Sequence, residues 1–150
     1  LSIYLGADGS LGDLLKQPGG GSRFPASHET VDKGLHYVKM KGNDVFKYAV
    51  RAMGDSAFKA LKEANINPEE VDILIPHQAN LRIIEATAKR IGVPMEKVFV
   101  NIDRCGNISA GSIPIALDEA CRVQRIKAGD IVLLDAFGGG FTWGAAVIRW

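Results

Sequence analysis

The sequence predicts an α/β fold with a mixed, mostly parallel β-sheet that is covered by helices on both faces. Short segments that are apolar throughout alternate with amphipathic helical patterns, and this alternation is typical of parallel strands buried between helices. The last two apolar segments, residues 131–136 and 145–150, are separated only by the turn-rich FGGGFTWG, so they are expected to pair antiparallel. A length of 150 residues is that of one average domain.

The first part of the chain is predicted to contain a strand, an irregular segment and a helix. Residues 1–7, LSIYLGA, have the composition of a core strand, whereas residues 8–41 contain a run of glycines, two prolines and few periodic apolar residues. This segment is therefore expected to be a long irregular surface excursion. Asn43 is the expected N-cap of an amphipathic helix. Its apolar positions are Phe46, Val50, Met53, Ala57 and Leu61.

The rest of the chain is predicted to alternate strands and helices. Asn67 and the proline that follows it indicate a short helical turn, and a strand is expected over residues 71–75. The next helix begins near Asn80, and Gly92 is placed to end it. A strand over residues 98–102 and a helix over residues 112–126 follow. The inward positions of the two helices are Leu81, Ile84, Ala88 and Ile91, and Ile113, Ala116, Ala120 and Val123.

The composition argues against several classes of function. Lysine and arginine total 18 and the acids 17, so the net charge of +1 gives no case for binding a nucleic-acid backbone. No apolar run approaches the roughly 20 residues of a membrane-spanning helix. Two cysteines, Cys105 and Cys121, are too few for a disulfide framework and favour a reducing, cytoplasmic location. Because the chain opens on an apolar segment without a methionine, it is interpreted as a piece of a longer protein.

No resident metal or cofactor is expected. The three histidines and two cysteines show no metal-ligand spacing, and FGGGFTWG lacks the G-x-G-x-x-G order of a dinucleotide site. Cys105 lies two residues before Asn107 and is interpreted as a local packing residue. Cys121 is interpreted as a core residue of its helix.

Three loops that follow predicted strands carry the polar residues of a candidate active site. PHQAN, NIDRCGNISAGS and FGGGFTWG each come after a predicted strand, and the carboxyl edge of a parallel sheet is where active sites form. His77, Asn107 and the glycine backbone are therefore expected to converge there. Each also has a purely structural interpretation. The histidine can be a structural residue whose hydrogen bonds are satisfied, the asparagine can be a typical turn residue, and the glycines can provide conformational freedom.

The motifs PHQANLRI, GNISAGS and AFGGGFTWG, in this order, closely resemble the C-terminal half of β-ketoacyl-acyl carrier protein synthase III. The resemblance runs from ADGS at residues 7–10, through KGNDVFKYAV at 41–50, to the end of the chain. It implies half of a five-layer thiolase fold, usually in a homodimer. It also implies decarboxylative Claisen condensation of an acetyl-CoA-type primer with malonyl-acyl carrier protein, the step that initiates fatty acid synthesis. The substrates are both thioesters, and no further cofactor is implied.

The resemblance also assigns site residues. It implies that His77 and Asn107 are partners of a nucleophilic cysteine in the N-terminal half, and that the Gly139 backbone N–H contributes to an oxyanion hole. Further positions match the family's pantetheine channel: Gly42, Phe46, Ala79, Asn80 and Ile83. A basic surface that would meet the carrier protein comprises Lys47, Arg82, Lys89 and Arg90. Two simpler interpretations stay open, since Asn80 is also placed to cap its helix and the basic residues are also typical of a solvated face.

The proposed chemistry suits these side chains. Decarboxylation of a malonyl thioester moves a negative charge onto the thioester oxygen, and the N–H groups of a neutral imidazole and an amide stabilise such an enolate. Without the cysteine of the N-terminal half, the chain alone is expected to be inactive. Two alternatives remain: half of a chalcone-type polyketide synthase, or a non-catalytic fragment that binds CoA or the carrier protein.

Overall fold

A computed structural model describes all 150 residues, and it contains six strands and five α-helices. In chain order they are β1 (Ser2–Ala7), β2 (Leu15–Lys16), α1 (His28–Asp32), β3 (Lys39–Met40), α2 (Gly42–Ala64), β4 (Ile73–Pro76), α3 (Leu81–Ile91), α4 (Ile102–Cys105), α5 (Ser112–Arg122), β5 (Ile131–Gly138) and β6 (Thr142–Arg149). Short 3-10 turns cover Gly9–Leu14, Pro68–Glu70, Met95–Lys97 and Ser109–Gly111.

The main sheet has four strands in the order β1-β6-β5-β4. Strands β4 and β5 run parallel, and a single parallel bridge from Leu74 to Val98 extends this part of the sheet. Strands β5 and β6 pair antiparallel, as expected for the close pair, and β1 also pairs antiparallel with β6. The α/β class and the mixed sheet are therefore confirmed, with β1 as an additional antiparallel strand at the edge.

Helices cover both faces of this sheet. On one face, α2 and α3 place residues such as Leu61 and Ile84 against β4, β5 and β6 in the largest core cluster. On the other face, Ala116 and Ala120 of α5 pack against Ile73, Ile75 and Val132. The alanines allow a helix to approach the sheet closely, and the buried aliphatic side chains provide the main apolar contribution to stability.

Strand β1 is buried on only one face. Tyr4 packs against the core formed with α2, whereas Ile3 and Leu5 point to the other face and are 70% and 76% exposed. Helix α5 covers β4 and β5 but does not reach β1. The predicted strand is therefore confirmed, although its core character holds for alternate residues only.

The expected strand at residues 98–102 is wrong, because the structure has only a single parallel bridge there, between Val98 and Leu74. The Phe99 N–H donates to the Leu74 carbonyl at 2.9 Å, but α4 begins already at Ile102. Between Phe99 and Asn101, the fully buried amide of Gln78 takes the place of a neighbouring strand. Its Nε2 donates to the Phe99 carbonyl at 3.1 Å, and its Oε1 accepts from the Asn101 N–H at 3.1 Å. Because a side chain satisfies these backbone groups, no ladder continues.

Three smaller predictions about the helices are wrong. Asn43 does not cap α2, which begins at Gly42 after Lys41 without a side-chain cap. Leu81 and Val123 are not buried, since they are 45% and 62% exposed. Ile83 faces the core instead of Leu81, and α5 ends at Arg122, before the periodic pattern is complete. The Pro68 turn, the Asn80 cap and the left-handed Gly92 at the end of α3 are confirmed.

The segment 8–41 contains a 3-10 turn and three short elements, β2, α1 and β3, and the rest of it is irregular. Its first turn is capped by Asp8, and β2 pairs with β3 through two residues on each strand. Ser27 and Thr30 form a capping box at the start of α1. These local bonds hold the segment against the start of α2, where the Lys41 N–H donates to the Leu14 carbonyl at 2.9 Å. No helix of the protein is long and apolar enough to cross a membrane.

Replacing Gly6 with alanine is expected to destabilise the sheet edge by about 1–3 kcal/mol, a typical cost of overpacking. Gly6 lies opposite Trp143 on β6, and a Cβ at Gly6 would sit 2.6 Å from Cε2 of the indole ring. The matched control is Gly9→Ala, because a Cβ there meets no atom within 4 Å. Thermal unfolding measures both variants; equal melting temperatures would contradict the expected clash.

Candidate active site

His77 lies directly after β4, at the carboxyl end of the only parallel strand pair. Its backbone N–H donates to the Asp135 carbonyl of β5 at 2.8 Å, which continues the ladder by one residue. Its ring Nδ1 lies 2.6 Å from Oγ of Ser112. The side chain is partly buried, and burial lowers the pKa of His77 below its usual 6.5. The imidazole is therefore neutral at pH 7.

Asn107 lies in the exposed turn between α4 and α5. Its Oδ1 accepts a hydrogen bond from the Ser109 N–H at 3.1 Å, which fixes the orientation of the amide. Since the oxygen is engaged within the turn, the Nδ2 group is the part of the amide that remains available as a donor. The turn chemistry considered for Asn107 is thus present, and it leaves the amide N–H groups free.

Ser112 links His77 to the segment that follows Asn107. It is the first residue of α5, five positions after Asn107, and its hydroxyl contacts the His77 ring. The loop that carries Asn107 is therefore anchored at the carboxyl end of β4, at the edge that the sequence indicates. Sequence reasoning missed both Ser112 and the buried Gln78. The available signals were the polar side chain directly after His77 and the serine at the predicted start of the helix that follows Asn107.

The glycine run begins at the last residue of β5, Gly138, and leads toward β6. Gly139 is exposed, and a Cβ there would lie 3.5 Å from the Leu15 carbonyl oxygen, which is ordinary van der Waals contact. A side chain is excluded instead at Gly140, where φ is +142° and a Cβ would lie 2.9 Å from Cγ2 of Thr142. The shape of this turn depends on Gly140, and the assignment of the Gly139 N–H to an oxyanion hole stays a prediction.

The residues predicted to line a channel cluster around the start of α2 and α3. Phe46 packs with Ile83 in a small core, and the Arg82 guanidinium lies over the Phe46 ring, 5.6 Å from its centroid. Gly42 is exposed at the first position of α2. Ala79 is partly buried beside His77, and its N–H donates to the His77 carbonyl. The Asn80 side chain caps α3 by accepting from the Arg82 N–H at 2.9 Å.

The predicted basic surface is exposed, but one of its members has an internal partner. Lys47, Arg82 and Lys89 are exposed on α2 and α3. Arg90 instead forms an ion pair with Asp55 of α2 at 2.6 Å, which links the two helices. The charge of Arg90 is therefore partly neutralised within the protein, and the other three residues are the better electrostatic candidates.

The cavity beside α2 and the two cysteines add no candidate site residue. A cavity of about 260 Å³ is lined by Asp8, Leu11, Tyr48, Arg51, Ala52, Asp55, Phe137, Phe141 and Trp143, and contains none of the predicted site residues. Cys105 and Cys121 are free and partly buried. No group of three or more histidine, cysteine, aspartate or glutamate side chains is arranged to hold a metal ion.

Asp135 is a buried carboxyl group in the strand beside His77. It is 1% exposed, and Ser56 of α2 donates to its Oδ1 at 3.2 Å, while Oδ2 has no partner. Burial raises the pKa of Asp135 well above 3.8 and outweighs the hydrogen bonds from Ser56 and the Ala136 backbone, which lower it. Asp135 is therefore protonated in the folded protein well above the pH at which the unfolded chain releases that proton.

Replacing Asp135 with asparagine is expected to stabilise the protein progressively more as the pH rises above about 4. The pKa of Asp135 is higher in the folded protein than in the unfolded chain. Its contribution to the free energy of unfolding is therefore greatest below the unfolded-state pKa, and it is lost as the pH rises toward the folded-state pKa. Melting temperatures of parent and variant, measured from pH 4 to 7, check this. The control Asp32→Asn changes an exposed aspartate. A difference between parent and Asp135→Asn that is independent of pH would contradict the prediction.

Comparison with known proteins identifies relatives of this chain. Residues 61–150 match the family described as 3-oxoacyl-[acyl-carrier-protein (ACP)] synthase III C terminal. Over all 150 residues the chain is 56% identical to beta-ketoacyl-[acyl-carrier-protein] synthase III of Clostridioides difficile and 58% identical to that of Desulfitobacterium hafniense. It covers 46% and 45% of those proteins, so the chain spans about half the length of the curated relatives it matches.

Solved structures give the same result. The crystal structure of 3-oxoacyl-[acyl-carrier-protein] synthase III from Aquifex aeolicus matches the whole chain with a TM-score of 0.86 and 45% identity, over 44% of its own length. The Thermus thermophilus enzyme matches 99% of the chain with a TM-score of 0.87 and 45% identity, over 45% of its length. The fold of the chain therefore agrees with the folds of these relatives. The chain belongs to the 3-oxoacyl-[acyl-carrier-protein] synthase III family and matches its C-terminal domain.

Proposed function

We propose that the chain is the C-terminal half of an acyltransferase that condenses an acetyl-CoA-type primer with malonyl-acyl carrier protein. The observation that carries this proposal is the state of the two candidate donors. His77 is neutral, with Nδ1 engaged by Ser112, and Asn107 has its oxygen engaged by Ser109. Each residue therefore keeps an N–H group available for a substrate oxygen.

Two neutral donors suit the decarboxylation step. The bond between the carboxylate carbon and the α-carbon breaks, carbon dioxide leaves, and the electron pair forms an enolate whose charge lies on the thioester oxygen. N–H groups aimed at that oxygen stabilise the charge without delivering a proton that would end the reaction. The α-carbon then attacks the acyl-cysteine carbonyl, and the cysteine thiolate leaves. In this proposal the Gly139 N–H stabilises the oxyanion formed by that attack.

The nucleophilic cysteine is proposed to lie in an N-terminal half outside these 150 residues. The exposed apolar residues of β1, Ile3 and Leu5, support contact with that half, because contiguous exposed apolar surface is uncommon on free monomers. The whole enzyme is proposed to be a cytoplasmic homodimer without a further cofactor.

The carrier protein and the pantetheine arm of the thioester are proposed to approach along the start of α2 and α3. Carrier proteins are acidic, so Lys47, Arg82 and Lys89 provide complementary charge at this surface, while Arg90 contributes less because Asp55 neutralises it. In this proposal Phe46 and Ile83 make apolar contacts with the pantetheine arm. The arm passes along the backbone of Gly42, Ala79 and Asn80.

The test compares this chain with the complete enzyme. The 150-residue chain is expected to show no acetyl-CoA-dependent condensation, whereas the complete enzyme is expected to form an acyl-cysteine and release carbon dioxide from malonyl-acyl carrier protein. Mass spectrometry follows the first step and carbon dioxide release the second. Enzyme-like turnover by the chain alone would contradict the proposed division of the active site, and a complete enzyme that binds thioesters without condensing them would favour the non-catalytic alternative.

A further inference from the structure

We infer that Ser112 fixes the tautomer of His77, so that the neutral ring carries its proton on Nε2 and presents that N–H to the substrate. Ser112 acts here as a positioning residue, since it contacts the histidine and not the reacting atoms. The assignment of the proton rests on the geometry of this chain alone, whereas its role in the reaction rests on the function proposed above.

The hydrogen bonds around the Ser112 hydroxyl define the direction of donation. The side chain is buried, with Ser112 2% exposed, and its Oγ has two neighbours: Nδ1 of His77 at 2.6 Å and the Gln78 backbone N–H at 3.3 Å. The backbone N–H is always a donor, so Oγ accepts from it. The hydroxyl proton has a single available acceptor, which is Nδ1, and Nδ1 must then be unprotonated.

The opposite arrangement leaves a polar group unsatisfied. If Nδ1 carried the proton, Oγ would accept from two N–H groups while its own proton lay buried without an acceptor, which native structures avoid. An imidazolium would create the same conflict, and burial already lowers the pKa of His77. A neutral ring with a bare Nδ1 carries its proton on Nε2. That nitrogen makes no hydrogen bond within the chain.

The residues around the contact between Ser112 and His77 are themselves fixed in position. Gln78 is fully buried, and its amide donates to the Pro76 carbonyl at 2.9 Å as well as to Phe99, so the backbone N–H that faces Ser112 has little freedom. Ser112 itself is fixed at the start of α5, 35 positions along the chain from His77. The ring therefore has both a defined tautomer and a defined orientation.

Long-range ¹H–¹⁵N correlation spectra of the labelled 150-residue chain test the tautomer directly. The His77 signals are identified by comparison with His28→Gln and His36→Gln variants. In the parent chain, we expect Nδ1 to show the chemical shift of an unprotonated nitrogen and Nε2 that of a protonated one. Ser112→Ala is expected to move Nδ1 toward the protonated value, whereas Ser112→Thr retains a hydroxyl and the parent pattern. Ser56→Ala, which removes an equally buried hydroxyl beside Asp135, is the matched control. A protonated Nδ1 in the parent chain would overturn the inference.

Kinetics of the complete enzyme separate this inference from the proposed function. Ser112→Ala is expected to lower kcat for carbon dioxide release on the order of tenfold, as for partners that orient metal-bound histidines, with little change in KM. If His77→Ala abolishes rapid release but Ser112→Ala does not slow it, the positioning role is wrong while the proposed function stands. If His77→Ala also keeps the parent rate, the proposed function itself fails, and the tautomer measurement remains a separate result.

Discussion

Replacing His77 with alanine in the complete enzyme is expected to slow carbon dioxide release from malonyl-acyl carrier protein by on the order of a hundredfold or more, the typical cost of removing one oxyanion donor. Loading of the cysteine from acetyl-CoA is expected to fall less, because acylation uses the thiol and a separate oxyanion hole. Asn107→Ala is expected to show the same separation of the two steps.

The two steps are measured independently, acyl-enzyme formation by mass spectrometry and carbon dioxide release by a coupled assay. His28→Ala is a matched control, because His28 lies on α1 in the irregular segment. Since burial lowers the pKa of His77, decarboxylation is expected to persist at pH values above that pKa, where the ring is a neutral donor. If both His77→Ala and Asn107→Ala release carbon dioxide at the parent rate, the roles of these residues are purely structural.

Replacing Gln78 with alanine is expected to cause the largest loss of stability, about 3–5 kcal/mol. Its fully buried side chain donates to the Pro76 and Phe99 carbonyls and accepts from the Asn101 N–H. Alanine leaves all three backbone groups without their partner and opens a cavity beside β4. In a domain of this size, such a loss corresponds to a fall in melting temperature of roughly 6–20 °C.

Thermal and urea unfolding check this prediction. Gln17→Ala is the matched control, since its Nε2 donates one hydrogen bond to the Gly19 carbonyl in the irregular segment. The control is expected to change the melting temperature little. If Gln78→Ala unfolds within about 2 °C of the parent, the explanation given for the missing strand at residues 98–102 would be wrong.

Elements whose signals are local could be predicted from the amino-acid sequence. The 3.6-residue apolar period indicates α2 and α3, and the paired apolar segments indicate the β5–β6 hairpin. The caps at Asn80 and Gly92 follow from residues that touch the helix they limit. His77 and Asn107 are candidates because strand ends and turn residues are also local signals, and because their motifs resemble those of a known family. Periodicity and capping act over three or four residues, so a sequence pattern is enough to detect them.

Tertiary structure alone decided the features that depend on contacts between distant residues. Residues 98–102 have strand composition, yet Gln78 satisfies their backbone groups from another element and ends the ladder. Asp135 lies in an apolar strand, and its protonation follows from burial under α2. The contact between Ser112 and His77 joins residues 35 positions apart. Hydrogen bonds and burial of this kind depend on how elements pack, and no periodicity in the chain records which side chain will meet which backbone group.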